Sequence, residues 1–538
     1  MTPGTIIVCW TIAVISSFNP IQTLSCNKEY TYFENYSQNG FNVTCNGITA
    51  GYEHVLDTIT VYGEISLTIV DSFLENITPS SFKRMKNIKT LSIVNSRLPF
   101  DRELELFSCL TRLETLQIRN TEFYITNSTL RQLKTLKNLE FSNNSMETVE
   151  RSSFRELSAL EKLFITDNRV SDLQALDLCR LKALKVLNVH GNKLQTVEGL
   201  DCIRDSLAVL DLSSNLIAGV DGAIQNLTAV KYINLGDNNL SDIEYISSQT
   251  LSELESLILK NNFISQVNDR ATSNWQSLLV LDLSFNDLNH FVAMNNSNLE
   301  ILNLEHNDLR SFRFEFLPRM KTLNLGSNKL STLTVSLLNG VPNLEELILK
   351  DNSVSRLSDE MFFGLTKLRW LDLSLNNLTS ISDNSFRGLA SLEVLNMSSN
   401  ALLSLSYIVL EPLRNLDILD VSNNKITHFQ YEEIIISSLS ALYIKNNPLT
   451  CDVVSEIVKY LKTENVSFTV NANPDYGREN IEGIPCSGAQ IPDQARLSNV
   501  GIGVLITVVI FIVSVCVCRS YVRMKRKRCR LEEIELIN

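Results

Sequence analysis

The chain has 538 residues, a formal net charge of −12 and only five histidines. An acidic chain argues against non-specific nucleic-acid binding, which needs a positive field. By length alone it would fill three or four ordinary domains, but internal repetition overrides that prior.

An apolar run, Ile6 to Ile15, is followed by small and polar residues up to Ser25. This resembles a secretory signal peptide, although residues 1–5 lack Lys and Arg. The alternative is a buried strand of the mature protein. Cys26 and a run of glycosylation sequons follow, which favours the signal. Cleavage is expected after Ser25, with Ser16 or Ser17 as alternatives. The expected mature chain lies in an oxidising space where disulfides persist. Its N-x-S/T sequons are Asn35, Asn42, Asn76, Asn127, Asn143, Asn226, Asn239, Asn295, Asn377, Asn396 and Asn465.

From residue 64 to 449 one skeleton recurs, L-x-x-L-x-L-x-x-N-x-L. Fourteen copies, starting between Leu136 and Leu439, have Asn at the ninth place, from Asn144 to Asn447. Three weaker copies start at Glu64, Ile88 and Leu113, with Ser72, Ser96 and Thr121 at that place. The period is 21 to 25 residues, most often 24. Within L-x-L two leucines alternate with a polar residue, a strand with one buried face. One repeat cannot bury its own leucines, whereas stacked repeats can. The buried Asn amide is suited to bond backbone groups at the turn leaving the strand, and stacked copies then form a ladder. Ser and Thr fill that role less completely, so the first three repeats are expected to be less regular.

The skeleton resembles the extracellular leucine-rich-repeat superfamily. That resemblance implies an α/β repeat solenoid: a horseshoe with a concave parallel β-sheet and an irregular or 3-10 convex side. Phe154, Phe362 and Phe386 sit six residues before the next repeat, and Leu157, Leu365 and Leu389 three before it. They are expected to pack the convex core. Seventeen strands at about 4.8 Å give an inner arc of roughly 75–80 Å. Two consecutive repeats, from Leu278 and Leu299, are only 21 residues long, and the second carries Phe312–Phe316. A local change of curvature is expected there, with a ligand-specific adaptation as the alternative.

A solenoid exposes core at both ends and needs caps. Residues 26–63 are assigned to an N-terminal cap closed by Cys26 and Cys45. Residues 450–486 resemble the family's C-terminal cap, N-P-x-x-C-D-C, except that Val453 replaces the second cysteine. The resemblance then implies one bridge, Cys451 to Cys486. Cys179 and Cys202 each sit five residues before a repeat start, so stacking brings them about 5 Å apart, within disulfide range. Cys109 is left over. It reads as a buried inert thiol, with an intermolecular bond or another pairing as alternatives.

Fixed letters are core and rewritten letters are surface. The third, fifth and seventh places of each repeat are expected to face the concave side. Most fifth-place residues are small and polar or acidic. Phe164, Tyr232, Ile258, Ile348, Trp370 and Tyr443 break the pattern of this face and are candidate anchors for a protein partner. Scattered surface hydrophobes are the plain alternative. Asn396 lies on the same face, where a glycan would obstruct the C-terminal third. His190 and His306 are also assigned there, with pH sensing as the alternative to ordinary surface histidines.

After a short stalk, 487–499, residues 500–518 run without a charge and span about 28 Å as a helix, close to a bilayer core. Residues 519–538 follow, opening on seven basic residues before any acid, which places them in the cytosol. With residues 1–25 as signal, the expected product is a type I single-pass plasma-membrane protein with one transmembrane helix. The tail's seven basic and three acidic residues leave the first 518 at −16. Twenty cytosolic residues cannot hold a kinase or Toll-type domain. Cys516, Cys518 and Cys529 are palmitoylation candidates. Glu532, Leu536 and Ile537 resemble an acidic dileucine signal read by clathrin adaptors, which would cycle the protein through endosomes; a solvated end is the alternative.

No zinc-ligand spacing, phosphate-cradling loop or nucleophile elbow appears, so no enzyme activity, metal or cofactor is expected. The expected function is recognition of an extracellular or cell-surface protein, as adhesion molecule, receptor or co-receptor. Short-tailed insect leucine-rich-repeat proteins offer the nearest resemblance. The alternative is an innate-immune protein that binds microbial products or soluble defence factors, similar to Toll-like ectodomains. The absence of a Toll domain and of a heptad coiled coil weakens that comparison. Homo- or heterodimerisation stays open.

Overall fold

A computed structural model describes residues 25–33, 38–59, 63–99, 104–151, 153–220, 222–243, 246, 250–267, 275–293, 298–314, 316–429, 438–463, 466–468 and 480–487. The expected signal (save Ser25), transmembrane helix, tail and sorting residues Glu532, Leu536 and Ile537 lie outside these. So do the palmitoylation candidates Cys516, Cys518 and Cys529. Among the described residues no helix is long and apolar enough to cross a membrane. One compact unit runs to Cys486; the second begins at Ser487, and beyond that residue it is not described.

Each repeat contributes one strand to a single 20-stranded sheet. Seventeen come from the repeats; Ser25–Phe33, Gln38–Asn46 and Ser467–Phe468 complete it. Only the first pair is antiparallel; the chain then stacks parallel strands in register, as in Tyr232↔Val209 and Tyr232↔Ser256. In the three-residue strands the middle residue is buried and its neighbours are half-buried or exposed, as in Val209–Asp211 and Trp370–Asp372. That alternation is the two-residue period of a strand with one wet face.

The ninth-place side chains form the ladder. Asn262 donates through Nδ2 to the carbonyls of Leu235 (2.9 Å), Leu259 (3.0 Å) and Lys260 (3.3 Å), and its Oδ1 accepts from Leu240 N–H at 3.0 Å. One buried amide thus satisfies four backbone groups that the strand exit leaves without partners. In the first three repeats a hydroxyl does a shorter version. Ser96 Oγ accepts from Ser72 N–H (3.1 Å) and donates to Val94 C=O (2.8 Å).

Those early repeats are not the irregular ones. Their strands are among the longest of the repeats, seven residues in Glu64–Val70 and five in Thr90–Val94 and Thr115–Arg119, and the next two repeats keep five in Asn138–Ser142 and Lys162–Thr166. The register falls from five paired residues to three where Lys162–Thr166 meets Val186–Asn188. Asn188 is the first Asn or Asp at a fifth place. Its Oδ1 accepts from the seventh-place amide, His190 N–H, at 2.9 Å. The same turn recurs with Asp211, Asn234, Asp282, Asn303, Asn324, Asp372, Asn396 and Asp420, at 2.8–3.1 Å. A seventh-place amide captured by the fifth-place side chain leaves the inter-strand ladder, so the strand ends at the fifth place. Ile258, Ile348 and Tyr443 cannot make this turn, but each pairs with at least one strand that does.

The eighth place is left-handed in all seventeen repeats, from Asp71 (φ 50°) to Asn446 (φ 57°). Asn, Asp, Ser and Gly191 fill it almost throughout, the residues that tolerate positive φ best. Asn143, Asn120 and Asn95 also hydrogen-bond in a row there, at 2.7 and 2.8 Å. His306, Phe285 and Leu375 depart from that chemistry, with φ of 52°, 57° and 54°.

The second place carries a charge row that alternates along much of the solenoid. Glu114 takes Lys89 on one side and Lys137 (2.7 Å) on the other. Glu161–Lys185, Lys231–Glu255 and Glu300–Lys321 pair at 2.6–2.9 Å. Arg369 holds Glu393 with two bonds of 2.8 Å. Exposed pairs contribute little each, but like charges would meet if the stack slipped by one repeat.

The convex core is as expected at Phe154, Phe362, Phe386, Leu157, Leu365 and Leu389, all at most 1% exposed. Phe362 and Phe386 stack with centroids 6.0 Å apart. Trp275 takes the place of the third-last leucine and donates Nε1–H to Ile246 C=O at 3.1 Å. The backing is not only irregular and 3-10. Among the described residues three two-stranded parallel pairs appear, the longest being His290–Ala293 with Ser311–Phe314 in the two short repeats.

Cys26 and Cys45 lie directly opposite in the N-terminal hairpin and are bonded. The helix Cys451–Thr463 closes the other end by burying Val454, Ile457, Val458 and Leu461, and Cys451 bonds Cys486. Cys179 and Cys202 are bonded, with Cα atoms 4.7 Å apart. Cys109 is free and half-buried.

Candidate binding surface

The wet face of the sheet is built from third- and fifth-place residues. The seventh place is not uniformly part of it. From Val186 onward it lies beyond the strand end, and Ser213, Ser284 and Ser374 are buried there.

All six candidate anchors lie on this face. Trp370 is 42% exposed; Phe164, Tyr232, Ile258, Ile348 and Tyr443 are half-buried. They do not form one cluster. Tyr232 and Ile258 are diagonal neighbours on adjacent strands, since Tyr232 pairs with Ser256 and Asn234 with Ile258. Ile348 and Trp370 are a second diagonal pair, four strands further on. Diagonal side chains of this size lie within reach of each other. Phe164 stands alone. Trp370 is continued along the third-place row by Val394, Ile418 and Ala441 towards Tyr443. Ile301, 40% exposed, also lies in the third-place row and was not among the anchors read from the sequence.

Burial and the nearby Asp211 carboxylate push the Tyr232 hydroxyl above its ordinary value, against a hydrogen bond from Asn234. It stays a neutral donor at physiological pH. In the five-residue strands Thr115–Arg119 and Asn138–Ser142 the face is polar instead. Arg119 clamps Glu140 (Nε–Oε1 2.5 Å, Nη2–Oε2 2.7 Å), and Gln117 (3.1 Å) and Ser142 (2.9 Å) also donate to it. Burial opposes ionisation of Glu140, but the bonds from Arg119, Ser142 and Gln117 outweigh it and hold the carboxyl below its usual range.

His190 sits at a seventh place, its Nδ1 2.8 Å from Ser213 Oγ. His306 is not on the strand face. It occupies an eighth place and stacks on Phe285, centroids 4.2 Å apart and 24° between planes. A bulky side chain in a row otherwise almost all Asn, Asp, Ser and Gly was the available sequence signal, carried by Phe285 and Leu375 as well as His306.

Asn396 lies in the strand Val394–Asn396, half-buried, its Oδ1 taken by Ser398 N–H and Oγ–H. Asn76, Asn143, Asn226 and Asn377 are exposed; Asn42, Asn127 and Asn239 are half-buried. Asn35, Asn295 and Asn465 lie outside the described residues. Among those described, no group of His, Cys, Asp and Glu side chains could hold a metal ion.

The family model "Leucine rich repeat" matches residues 205–262, 252–309 and 342–402. A second, "BspA type Leucine rich repeat region (6 copies)", matches 62–179. This is a leucine-rich-repeat protein. Its leucine-rich repeats resemble those of a Leptospira interrogans protein, at 22% identity and TM-score 0.56, over 73% of this chain and 93% of that one. The LRIM1/APL1C complex is similar at 18% identity and TM-score 0.54, over 89% and 78%. The APL1 leucine-rich repeat domain is similar at 19% and 0.53, over 73% and 94%. At such identities the likeness is one of fold. No curated protein matches the chain.

Proposed function

We propose that this leucine-rich-repeat protein is a membrane-anchored recognition molecule of the cell surface, an adhesion protein, receptor or co-receptor. It binds a protein partner across the wet face of its sheet. The observation that carries this reading is the pair of diagonal clusters, Tyr232 with Ile258 and Ile348 with Trp370, on a face whose other fifth-place residues are mostly polar. Large apolar groups there are not needed to fill the core, which the buried leucines already occupy. Two clusters four strands apart suit an extended partner surface better than a small ligand. The uncharged run 500–518 and the basic residues after it support anchoring.

The test uses the full-length chain displayed on cells. Staining of an ectodomain epitope without permeabilisation reads surface delivery. A panel of soluble ectodomains is then screened for binding, and each hit is repeated on Ile258→Asp and Trp370→Asp. Loss of a hit on both variants, at unchanged surface level, is the expected result. An intracellular protein would end the cell-surface reading, and hits indifferent to both substitutions would end the sheet-face reading.

A further inference from the structure

Three successive repeats place Lys260, Ser284 and Glu305 at their seventh places, and Asn261, Phe285 and His306 at their eighth. Phe285 is the outlier. Its φ of 57° suits Asn or Gly, and a bulky side chain there is uncommon and costly. It is half-buried, one face of its ring covered by His306 and the rest left at the surface. The repeat imposes the left-handed turn at every eighth place, so what sets Phe285 apart is the aromatic ring placed there and not the backbone. The ring stacks on His306 from the next repeat, and Lys260 Nζ from the previous one lies 5.1 Å from its centroid.

The flanking charges are unequal in sign and equal in spacing. Lys260 is exposed and makes no ion pair among the described residues. Glu305 leans on His306 (3.8 Å) and accepts from Asn324 (3.3 Å), with no Lys or Arg partner there. Each stands one strand from Ser284, so their backbones are about 10 Å apart, and they do not pair with each other among the described residues. Between them the surface is low: Ser284 is 1% exposed, and its Oγ is buried without a partner.

We propose that this rim is the contact between two copies of the chain. A two-fold axis lying in the plane of the rim and perpendicular to the stacking direction, over Ser284 and Phe285, sets each Phe285 against its mate. The same rotation brings Lys260 of each copy opposite Glu305 of the other, twice. A patch whose positive and negative ends exchange under that rotation is self-complementary, which an isologous interface requires. The two ends of the patch choose a second copy over an unrelated acidic or basic partner, which would meet one like charge. This contact lies at the sheet's rim and does not depend on the sheet-face reading.

The experiment co-expresses two differently tagged copies of the full-length chain and measures how much of one tag the other co-precipitates. The wild type is expected to associate. Lys260→Glu and Glu305→Lys each create two like-charge pairs and are expected to lower the yield about ten-fold or more. The double variant K260E/E305K is expected to restore it. Phe285→Asn is expected to lose association while holding or raising the temperature at which the solubilised protein precipitates. Absence of association in the wild type would overturn the proposal and leave the sheet-face reading standing. So would single variants that associate normally, or a double variant no better than the singles at equal surface level.

Discussion

The five-residue strands and the three-residue strands are two solutions to one problem, how to end a strand without stranding its amides. In the first, the ninth place holds Ser72, Ser96 or Thr121, whose hydroxyls each serve two backbone groups, or else Asn144 or Asn168, and in either case the inter-strand ladder continues to the seventh place. In the second, an Asx turn at the fifth place and an Asn at the ninth share the work. The later design frees the chain from long pairing, and there the wet face carries most of its apolar groups. Asn168 stands at the junction, accepting from both Asn144 and Met146 amides. The Cys179–Cys202 bond ties the repeats on either side of the change in strand length.

The largest contrast should come from deleting the ladder in each region. Asn262→Ala leaves four backbone groups to find other partners, where Ser96→Ala leaves two. At about 1–3 kcal/mol for a buried group left unsatisfied, and with partial relaxation, we expect about 3–5 kcal/mol for Asn262 and about 1–2 for Ser96. Denaturation midpoints read the difference, and loss of hydrogen-exchange protection at Leu240 localises it. Equal costs would mean that the amide and the hydroxyl ladders are equivalent.

Breaking the staple comes next. Replacing Cys179 and Cys202 together by Ala removes a link across 23 residues, and should cost about 2–4 kcal/mol on a chain-entropy argument. The loss should appear as exchange in the flanking strands Lys162–Thr166 and Val186–Asn188. A midpoint unchanged from wild type would show that the junction needs no covalent help.

The Asx turn itself is worth less. Asp372→Ala removes the acceptor of Ser374 N–H, and should cost about 1 kcal/mol. Introducing the turn into the other region, with Gln117→Asn, should shorten pairing at Arg119, read as faster exchange of the seventh-place amides on either side. If those amides stay protected, strand length is set by the sheet and not by the fifth-place side chain.

Much of this was legible because the repeat states its core in fixed letters. The leucine places, the ninth-place Asn and the spacing of Cys179 and Cys202 follow from period alone. The strand-length change was also written in the sequence, as the switch from Glu140 and Phe164 to Asn188 and Asp211. Reading it requires knowing that an Asx side chain competes with the ladder, so the early repeats were expected to be less regular when they hold the longest strands. The rim of Lys260, Phe285 and His306 was hidden for another reason. Its residues are ordinary one by one, and only the left-handed backbone makes Phe285 costly.

The smallest expected effect separates the two regions by pH. Glu140 lies on the polar face of the five-residue strands, and bonds from Arg119, Ser142 and Gln117 overcome its burial to hold its folded pKa below the ordinary 4.5. A carboxyl depressed in this way contributes stability above its unfolded value, and the contribution is lost as pH falls through the lower folded value. Acid should therefore loosen the strands Thr115–Arg119 and Asn138–Ser142. Glu140→Gln should flatten that dependence below about pH 4.5, while the exchange of Leu240 near Asn262 keeps its wild-type profile. A variant that retains the full acid sensitivity at Thr115–Arg119 would move its cause elsewhere, with Glu114 the next group to test. Burial opposes ionisation there too, and its bonds to Lys137 and Lys89 lower the carboxyl in the same direction.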